Sequence, residues 1–359
     1  MNQKRKLLTT LVSTATTASL SVMASAQTWS MVIMPDTQNY TRNSPTGGNY
    51  MAPFTSQVDW VIDQKETRNI QYVLHEGDLV HNNNSVQWSR AKSEISRLDG
   101  VVPYALATGN HDYGPAGNAS NRSTLFNNYF SINDNSLTSP SGGATIGGVF
   151  EVGKLDNSYH IFSAPDGRDM LIISLEWGPR DEVVSWANTV AQNHPDHTAV
   201  LLTHAYMYND ETRYDWATKG SSQSWNPHSY GTASLPGGTN DGQELWDNLV
   251  GENDNFAMTF NGHVLGDGIG TLQSIGSGGQ TVTQMLFNSQ FEGDAGDGWL
   301  RLVEFDGENV NISTYSPHLD LWRTDDANQF SFQIQSIPEP SSSLLLGLGV
   351  FSLILHRNK

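Results

Sequence analysis

The chain has 359 residues, no cysteine and a formal net charge of -18, with 37% hydrophobic and 10% aromatic residues, ten of them Trp. The lack of cysteine excludes disulfides and thiolate metal sites, the acidic balance disfavours nucleic-acid backbones and anionic lipid as partners, and the length supports one large domain or two small ones. Setting aside the three basic residues of 1–26, and the two basic and one acidic residue of 338–359, deepens the balance to -22 for residues 27–337, a surface that suits divalent cations.

Residues 1–26 read as a secretory signal. Lys4-Arg5-Lys6 form a basic start, a weakly apolar stretch follows, and Ala24-Ser25-Ala26 is a small-x-small cleavage site before Gln27. No twin Arg is present, which favours the general secretory route. A first strand is expected over 29–34, ending at Pro35-Asp36-Thr37-Gln38. Phe54, Val58, Val61 and Ile62 recur at helical spacing, so a helix is expected over about 53–67. A second strand at 70–74 ends at His75-Glu76-Gly77-Asp78-Leu79-Val80-His81. Ser85 is the expected cap of a second helix, with Trp88, Ala91, Ile95 and Leu98 on one face. A third strand at 101–106 runs into Gly109-Asn110-His111-Asp112. Strand, helix, strand, helix, strand in this order implies parallel strands with right-handed crossovers, and loops gathered at the C-terminal strand ends.

Residues 113–156 are rich in Gly, Asn and Ser and read as a mostly irregular insertion. Strands resume at 158–162 and 170–175, and Val183, Trp186, Ala187 and Val190 mark a helix. The strand at 199–203 ends at His204. Residues 205–240 form a second insertion, dense in aromatics, in which Arg213, Tyr214, Trp216, Trp225 and His228 are candidates to touch a substrate or to pack the insertion down. A helix is expected over about 241–250, and the strand at 256–260 ends at Asn261-Gly262-His263. Later strands are expected at 281–287, 299–305, 310–315 and 330–335, most simply as a second sheet on the first. The Asn- and Asp-rich runs at 133–135 and 306–309 lack a full calcium-loop pattern and read as solvated turns.

Five strand ends therefore carry metal-ligand side chains: Asp36, Asp78, Asn110, His204 and His263. Taken singly, each is an ordinary turn residue. In series on one sheet edge they suit Mn, Fe, Zn or Mg, with oxygen ligands mixed among imidazoles.

Asp36-x-Gln38, Gly77-Asp78, Gly109-Asn110-His111-Asp112, His204 and Gly262-His263 resemble the calcineurin-like metallophosphoesterases in order and strand context, over roughly residues 29–315. That resemblance implies an α/β fold, a four-layer αββα sandwich of two mixed sheets flanked by helices, spanning 27–336 with the two insertions. It implies two divalent metal ions, with Asp78 bridging both, Asp36 on the first, and Asn110, His204 and His263 on the second. His111 is the implied non-ligand catalytic histidine, and Asp112 a candidate to orient it. The implied reaction is hydrolysis of a phosphate mono- or diester by a hydroxide held between the metals. Two departures fall on the first metal. The family usually has Asp-x-His where this chain has Gln38, and Gly-His-x-His where this chain has Leu265. Gln38 offers an amide oxygen, a weaker donor than imidazole, and His81 and Asp267 are further candidates there, so a first site of lower affinity is expected. The other reading open at this point is a non-catalytic surface or matrix binding protein on a degenerate phosphoesterase fold.

The far end reads Ile337-Pro338-Glu339-Pro340, a Ser run, twelve mostly apolar residues and a basic tip at His356-Arg357-Asn358-Lys359. Twelve residues are too few for an ordinary spanning helix, which needs about 20. The order resembles the PEP-CTERM sorting signal of Gram-negative bacteria over residues 337–359. It implies export through the inner membrane to the periplasm, outer surface or extracellular matrix, with an exosortase-type sorting enzyme as partner and exopolysaccharide as neighbour.

Overall fold

The computed structural model describes residues 27–42, 50–138 and 144–335; the expected signal at 1–26 and the sorting segment at 337–359 lie outside the described residues. The chain opens with β1 (Trp29–Met34), the helix Met51–Gln64, β2 (Ile70–His75), the helix Ser85–Ile95 and β3 (Tyr104–Leu106). These three strands pair in parallel, as the order of elements requires. Pro103 lacks an N–H, and β3 begins directly after it. The second helix is capped by Asn84 rather than Ser85: the Asn84 Oδ1 accepts from the backbone N–H of Val86 and of Gln87, both at 3.1 Å.

The middle of the chain builds a second sheet from β4 (Ala144–Val149), β5 (Ser158–Ser163), β6 (Asp169–Ser174), β7 (Thr198–Leu202), β8 (Phe256–Asn261), β9 (Ile269–Ile275) and β10 (Thr281–Phe287). The helix Asp181–Asn193 and a helical turn at Gly242–Val250, capped by Asp241, cover its outer face. Among its described residues the 113–156 segment is mostly irregular, and its β4 closes the edge of this sheet against β5. One expectation changes here. The late strands do not make a sheet of their own. β9 and β10 complete the second sheet, while β11 (Leu300–Asp306), β12 (Asn309–Ser316), β13 (Leu321–Arg323) and β14 (Phe330–Gln333) return to the first, where β11 lies antiparallel against β1. The first sheet thus has seven strands, with β14 also on β12, and so does the second.

The two sheets face each other across a core of Trp29, Met31, Ile33, Tyr72 and Leu74 from one side and Phe162, Met170, Ile172, Val200 and Phe260 from the other. Each such side chain contributes about 1.5–3 kcal/mol by burial. Alternate residues Val32 and Met34 point outward to Phe54, Val58, Val61 and Trp88 of the two N-terminal helices. β1 is therefore buried on both faces, which is why it reads as an unbroken apolar run. Helix, sheet, sheet, helix is the four-layer sandwich that the sequence implied. Its consequence for function is positional: the C-terminal ends of β1, β2 and β3 meet those of β7 and β8 along one rim.

Candidate metal centre and catalytic cleft

At that rim, residues far apart in the chain converge. Atoms of Asp78, His204 and His263 lie within 4.8 Å of one another, all three residues buried. Each ligand candidate is anchored from behind by its other polar atom. His204 donates from Nδ1 to the Glu76 carbonyl at 2.7 Å, which leaves Nε2 facing Asp78 Oδ2 at 3.2 Å. His263 donates from Nε2 to the Trp225 carbonyl at 2.9 Å, which frees Nδ1. Asn110 donates from Nδ2 to the Gly117 carbonyl at 2.8 Å, which frees Oδ1. Such backing fixes tautomer and orientation in metal sites. Asp36 Oδ1, Asn110 Oδ1 and His204 Nε2 are buried without a hydrogen-bond partner. Buried polar atoms left bare cost about 1–3 kcal/mol each unless something binds them, so this donor set fits a divalent cation.

The charges agree. Burial, then the neighbouring charges of Asp78, Asp112 and Glu76, pushes the Asp36 carboxyl well above the usual carboxylate range. Burial works against the Asp78 carboxylate too, but His204, His111 and His263 around it hold it below its ordinary value. Burial and then the His204 charge lower His263 to about 3, so its imidazole is neutral and able to ligate.

Backbone geometry makes the convergence possible. Asp78 and His263 take positive φ, +50° and +72°. Gly109 is required by close approach: a Cβ there would lie 2.2 Å from Asp78 Oδ1 and 2.6 Å from the Asp78 backbone N. The Asp78 Oδ1 in turn accepts from the His111 backbone N–H at 2.7 Å.

His111 borders the cleft, and its Nδ1 donates to the His81 carbonyl at 2.8 Å, which leaves Nε2 for proton chemistry. The remaining candidates fall into place around these. Asp112 does not orient His111. Its buried carboxylate accepts from the backbone N–H of Gly109, Leu79 and Val80, and so pins the turn after β3 to the one after β2. His81 lies behind Gln38, with Nδ1 2.9 Å from Gln38 Oε1 and its ring stacked on His111 at 4.9 Å, and is outside the cluster of ligand atoms. Asp267 is exposed and accepts from the Ile269 N–H, away from the cleft. The Asn133–Asn135 run braces its own loop: Asp134 pairs with Lys92 and Asn135 holds the Gly100 N–H. Residues 306–309 are the β11–β12 turn, with Gly307 at φ +63°.

The cleft itself has a volume of about 100 Å³ and is bordered by Gln38, Asp78, Asn110, His263, Leu265 and Gln290 below and by Trp225, Tyr230 and Phe291 at the rim. Gln290 was not among the sequence candidates. It follows β10 with no motif around it, and only the fold brings its amide to Asp36, with Nε2 donating to Oδ2 at 3.2 Å. The insertion at 205–240 does roof the site, through Trp225 and Tyr230. Arg213 is instead held by Gln284, Gln243 and Ser274 and stacks over Trp246. Tyr214 is buried, His228 pairs with Glu244 at 2.7 Å, and Trp216 stacks on His228. These four pack the insertion down. A second acid–histidine group, His228, Asp241 and Glu244, is a capped helix start: the Asp241 carboxylate already accepts from Gln243, Glu244, Trp216 and Asn226, and the Glu244 carboxylate accepts from the Asp241 backbone N–H.

Residues 36–267 match the calcineurin-like phosphoesterase family, and residues 336–358 match the PEP-CTERM protein-sorting motif. The chain belongs to the calcineurin-like phosphoesterase family. Among curated proteins it is similar to the uncharacterized protein YvnB of Bacillus subtilis, 28% identical over 299 residues, which is 81% of this chain and 20% of that protein. The chain thus spans about a fifth of the length of that relative. Among solved structures it is similar to the NAD nucleotidase NadN of Haemophilus influenzae, at 13% identity and TM-score 0.43 over 87% of this chain and 51% of that one. It is also similar to a 5'-nucleotidase precursor from Thermus thermophilus, at 12% identity and TM-score 0.40 over 91% and 60%. Within the described residues, no helix is long and apolar enough to cross a membrane.

Proposed function

We propose that this phosphoesterase is an exported, metal-dependent hydrolase of phosphate mono- or diesters. The observation that carries the reading is that ligand atoms of Asp78, His204 and His263 lie within 4.8 Å of one another, with Asn110 bordering the same cleft and its Oδ1 bare. Those four residues would hold a divalent cation, which supplies a Lewis acid that draws electron density from phosphoryl oxygens and acidifies water. Around it the chain's own residues do the rest. Asp78, held by the His111 backbone N–H, keeps the centre in register with the His111 ring. The His81 carbonyl accepts from His111 Nδ1, which leaves Nε2 facing the cleft, and in the doubly protonated ring the Nε2–H gives its proton to the leaving oxygen. A positioned acid of this kind is worth about 10²–10⁴-fold in rate. Trp225, Tyr230 and Phe291 at the rim limit water and offer apolar surface to the substrate's alcohol portion.

The sorting motif at 336–358 supports the exported location and an exosortase-type partner, with a polysaccharide matrix as the setting. The test of the activity is turnover of p-nitrophenyl phosphate and of bis-p-nitrophenyl phosphate by protein loaded with Mn²⁺ or Zn²⁺. Hydrolysis of either that is abolished by a chelator and restored by metal supports the proposal. No turnover by metal-loaded protein on either ester favours the binding-protein reading.

A further inference from the structure

The catalytic rim lies at one pole of the sandwich, and the chain leaves for its sorting segment at the other. β1 runs toward the rim, and β11, β12 and β14 follow beside it, each antiparallel to the one before. β14 therefore runs away from the rim, and its last residue, Gln333, pairs with Asn309 at the start of β12. Trp29, at the start of β1, pairs with Phe305, so the β11–β12 turn lies at the same far pole. In the second sheet β7 and β8 are parallel and lead to His204 and His263, so their first residues, Thr198 and Phe256, mark that pole too.

One buried side chain fixes the exit. Arg168 donates from Nη1 to the Gln335 carbonyl at 2.9 Å and to the Thr198 hydroxyl at 3.2 Å, and from Nη2 to the Gly307 carbonyl at 3.3 Å. It thereby ties the last described residue to the start of β7 and to the β11–β12 turn. Ile334 is buried in the core between the sheets, and its N–H donates to the Glu308 carbonyl at 2.9 Å. The step from Thr198 to His204 along β7 rises about 20 Å at roughly 3.3 Å per residue, which is the height from the exit to the metal centre.

Residues 336–343 join this exit to the apolar run 344–355, the part of the sorting segment that lipid would take. A linker of that length reaches at most about 29 Å when fully extended. To press the cleft against the same bilayer, it would have to climb the ~20 Å side of the sandwich and pass the rim loops, pulled taut. Charge works against that placement as well, because the body of the chain is acidic and is repelled by anionic lipid.

We infer that, while its tail sits in a membrane, the protein stands with its cleft facing away from that bilayer, and that its substrate is a phosphoester arriving from the aqueous or matrix side, not a phospholipid headgroup of the same membrane. Trp225 and Phe291, exposed at the rim, then meet the substrate's alcohol portion and not lipid. The substrate half of the inference rests on the hydrolase reading above; the orientation half does not.

The experiment uses the full chain on vesicles of phosphatidylcholine and phosphatidic acid with an acceptor dye on the outer leaflet. The chain has no cysteine, so a single introduced one takes a donor dye at a known place. Asp267→Cys puts it on the exposed loop after β8 at the rim pole, and Glu308→Cys puts it beside the exit. Energy transfer at least about threefold greater from position 308 than from position 267 is expected from the ~20 Å between the poles. Equal transfer from the two, none from either, or more from position 267 overturns the orientation. On the same vesicles, metal-loaded protein should hydrolyse added p-nitrophenyl phosphate or its diester and release no phosphate from phosphatidic acid. Release from the vesicle lipid at a rate matching the soluble ester overturns the substrate assignment and leaves the hydrolase reading standing. No turnover of any of the three esters, with the difference in transfer intact, overturns the hydrolase reading and leaves the orientation standing.

Discussion

The approach of Gly109 to Asp78 makes a sharp prediction. In Gly109→Ala the new Cβ would lie 2.2 Å from Asp78 Oδ1, 2.7 Å from its Cγ and 2.6 Å from its backbone N. None of these atoms is the loose end of a flexible side chain. Oδ1 is tied to the His111 N–H, and the Asp78 backbone holds φ +50°. The overlap is about 1 Å against an ordinary carbon–oxygen contact, so the turn must move, at about 1–3 kcal/mol for overpacking. Losing the charge-assisted bond to His111 adds about 1.5–3 kcal/mol. Together we expect a loss of about 3–6 kcal/mol in urea unfolding followed by Trp fluorescence, and a drop of at least about 10²-fold in turnover from the displaced centre. Gly262 is the comparison. It belongs to an equally recognisable motif, but its φ is not positive and its Cβ would meet Glu76 at 3.6 Å, an ordinary contact. Gly262→Ala should change stability by less than about 1 kcal/mol. If Gly109→Ala unfolds within 0.5 kcal/mol of wild type, on the order of an ordinary surface change, and keeps its turnover, the close packing described here is wrong.

Further outcomes follow from the same geometry. His111→Ala should lose about 10²–10⁴-fold in kcat while retaining bound metal, and unchanged kcat would remove the acid role from this residue. Trp225→Ala keeps the backbone carbonyl that holds His263 and removes half-exposed apolar surface at the rim, so KM should rise about fivefold, from roughly 1 kcal/mol of lost contact, with kcat little changed. Burial holds His160 down at about 3, where it joins Tyr72 of the facing sheet at 2.7 Å. An unfolded histidine titrates near 6.5, so between pH 6.5 and 3 the unfolded chain binds a proton that the folded chain refuses, and stability falls with pH by about 1.4 kcal/mol per unit. In His160→Gln the loss of stability between pH 7 and pH 5 should therefore shrink by about 2 kcal/mol, and an unchanged slope would place the acid sensitivity elsewhere. Chelation should lower the stability of metal-loaded protein by about 2.7 kcal/mol if the free metal had stood at 100 times its Kd, read as a fall in the unfolding midpoint, and no shift would argue that no native-state metal site exists.

The sequence by itself determined the rim of the site. Asp36, Asp78, Asn110, His204 and His263 each follow an apolar run that folds as a strand, and local hydrophobic pattern is enough to place a residue at a strand's end. It also carried the helices, whose apolar faces recur at helical spacing. Pairing is another matter. Nothing local told β11 to lie on β1, because partners separated by most of the chain are chosen by how whole faces pack. The same reason hid Gln290. Its amide meets Gln38 across 252 residues, and a lone Gln after a strand carries no spacing that marks it. Asp112 and His81 show the converse, since their nearness to the motif suggested roles that the tertiary hydrogen bonds assign to loop bracing and to holding Gln38. Ligand type was written in the order of the residues. Which carboxylate oxygens face lone pairs and which face N–H groups was settled only when two sheets brought their edges together, because hydrogen-bond direction depends on neighbours that the chain order does not supply.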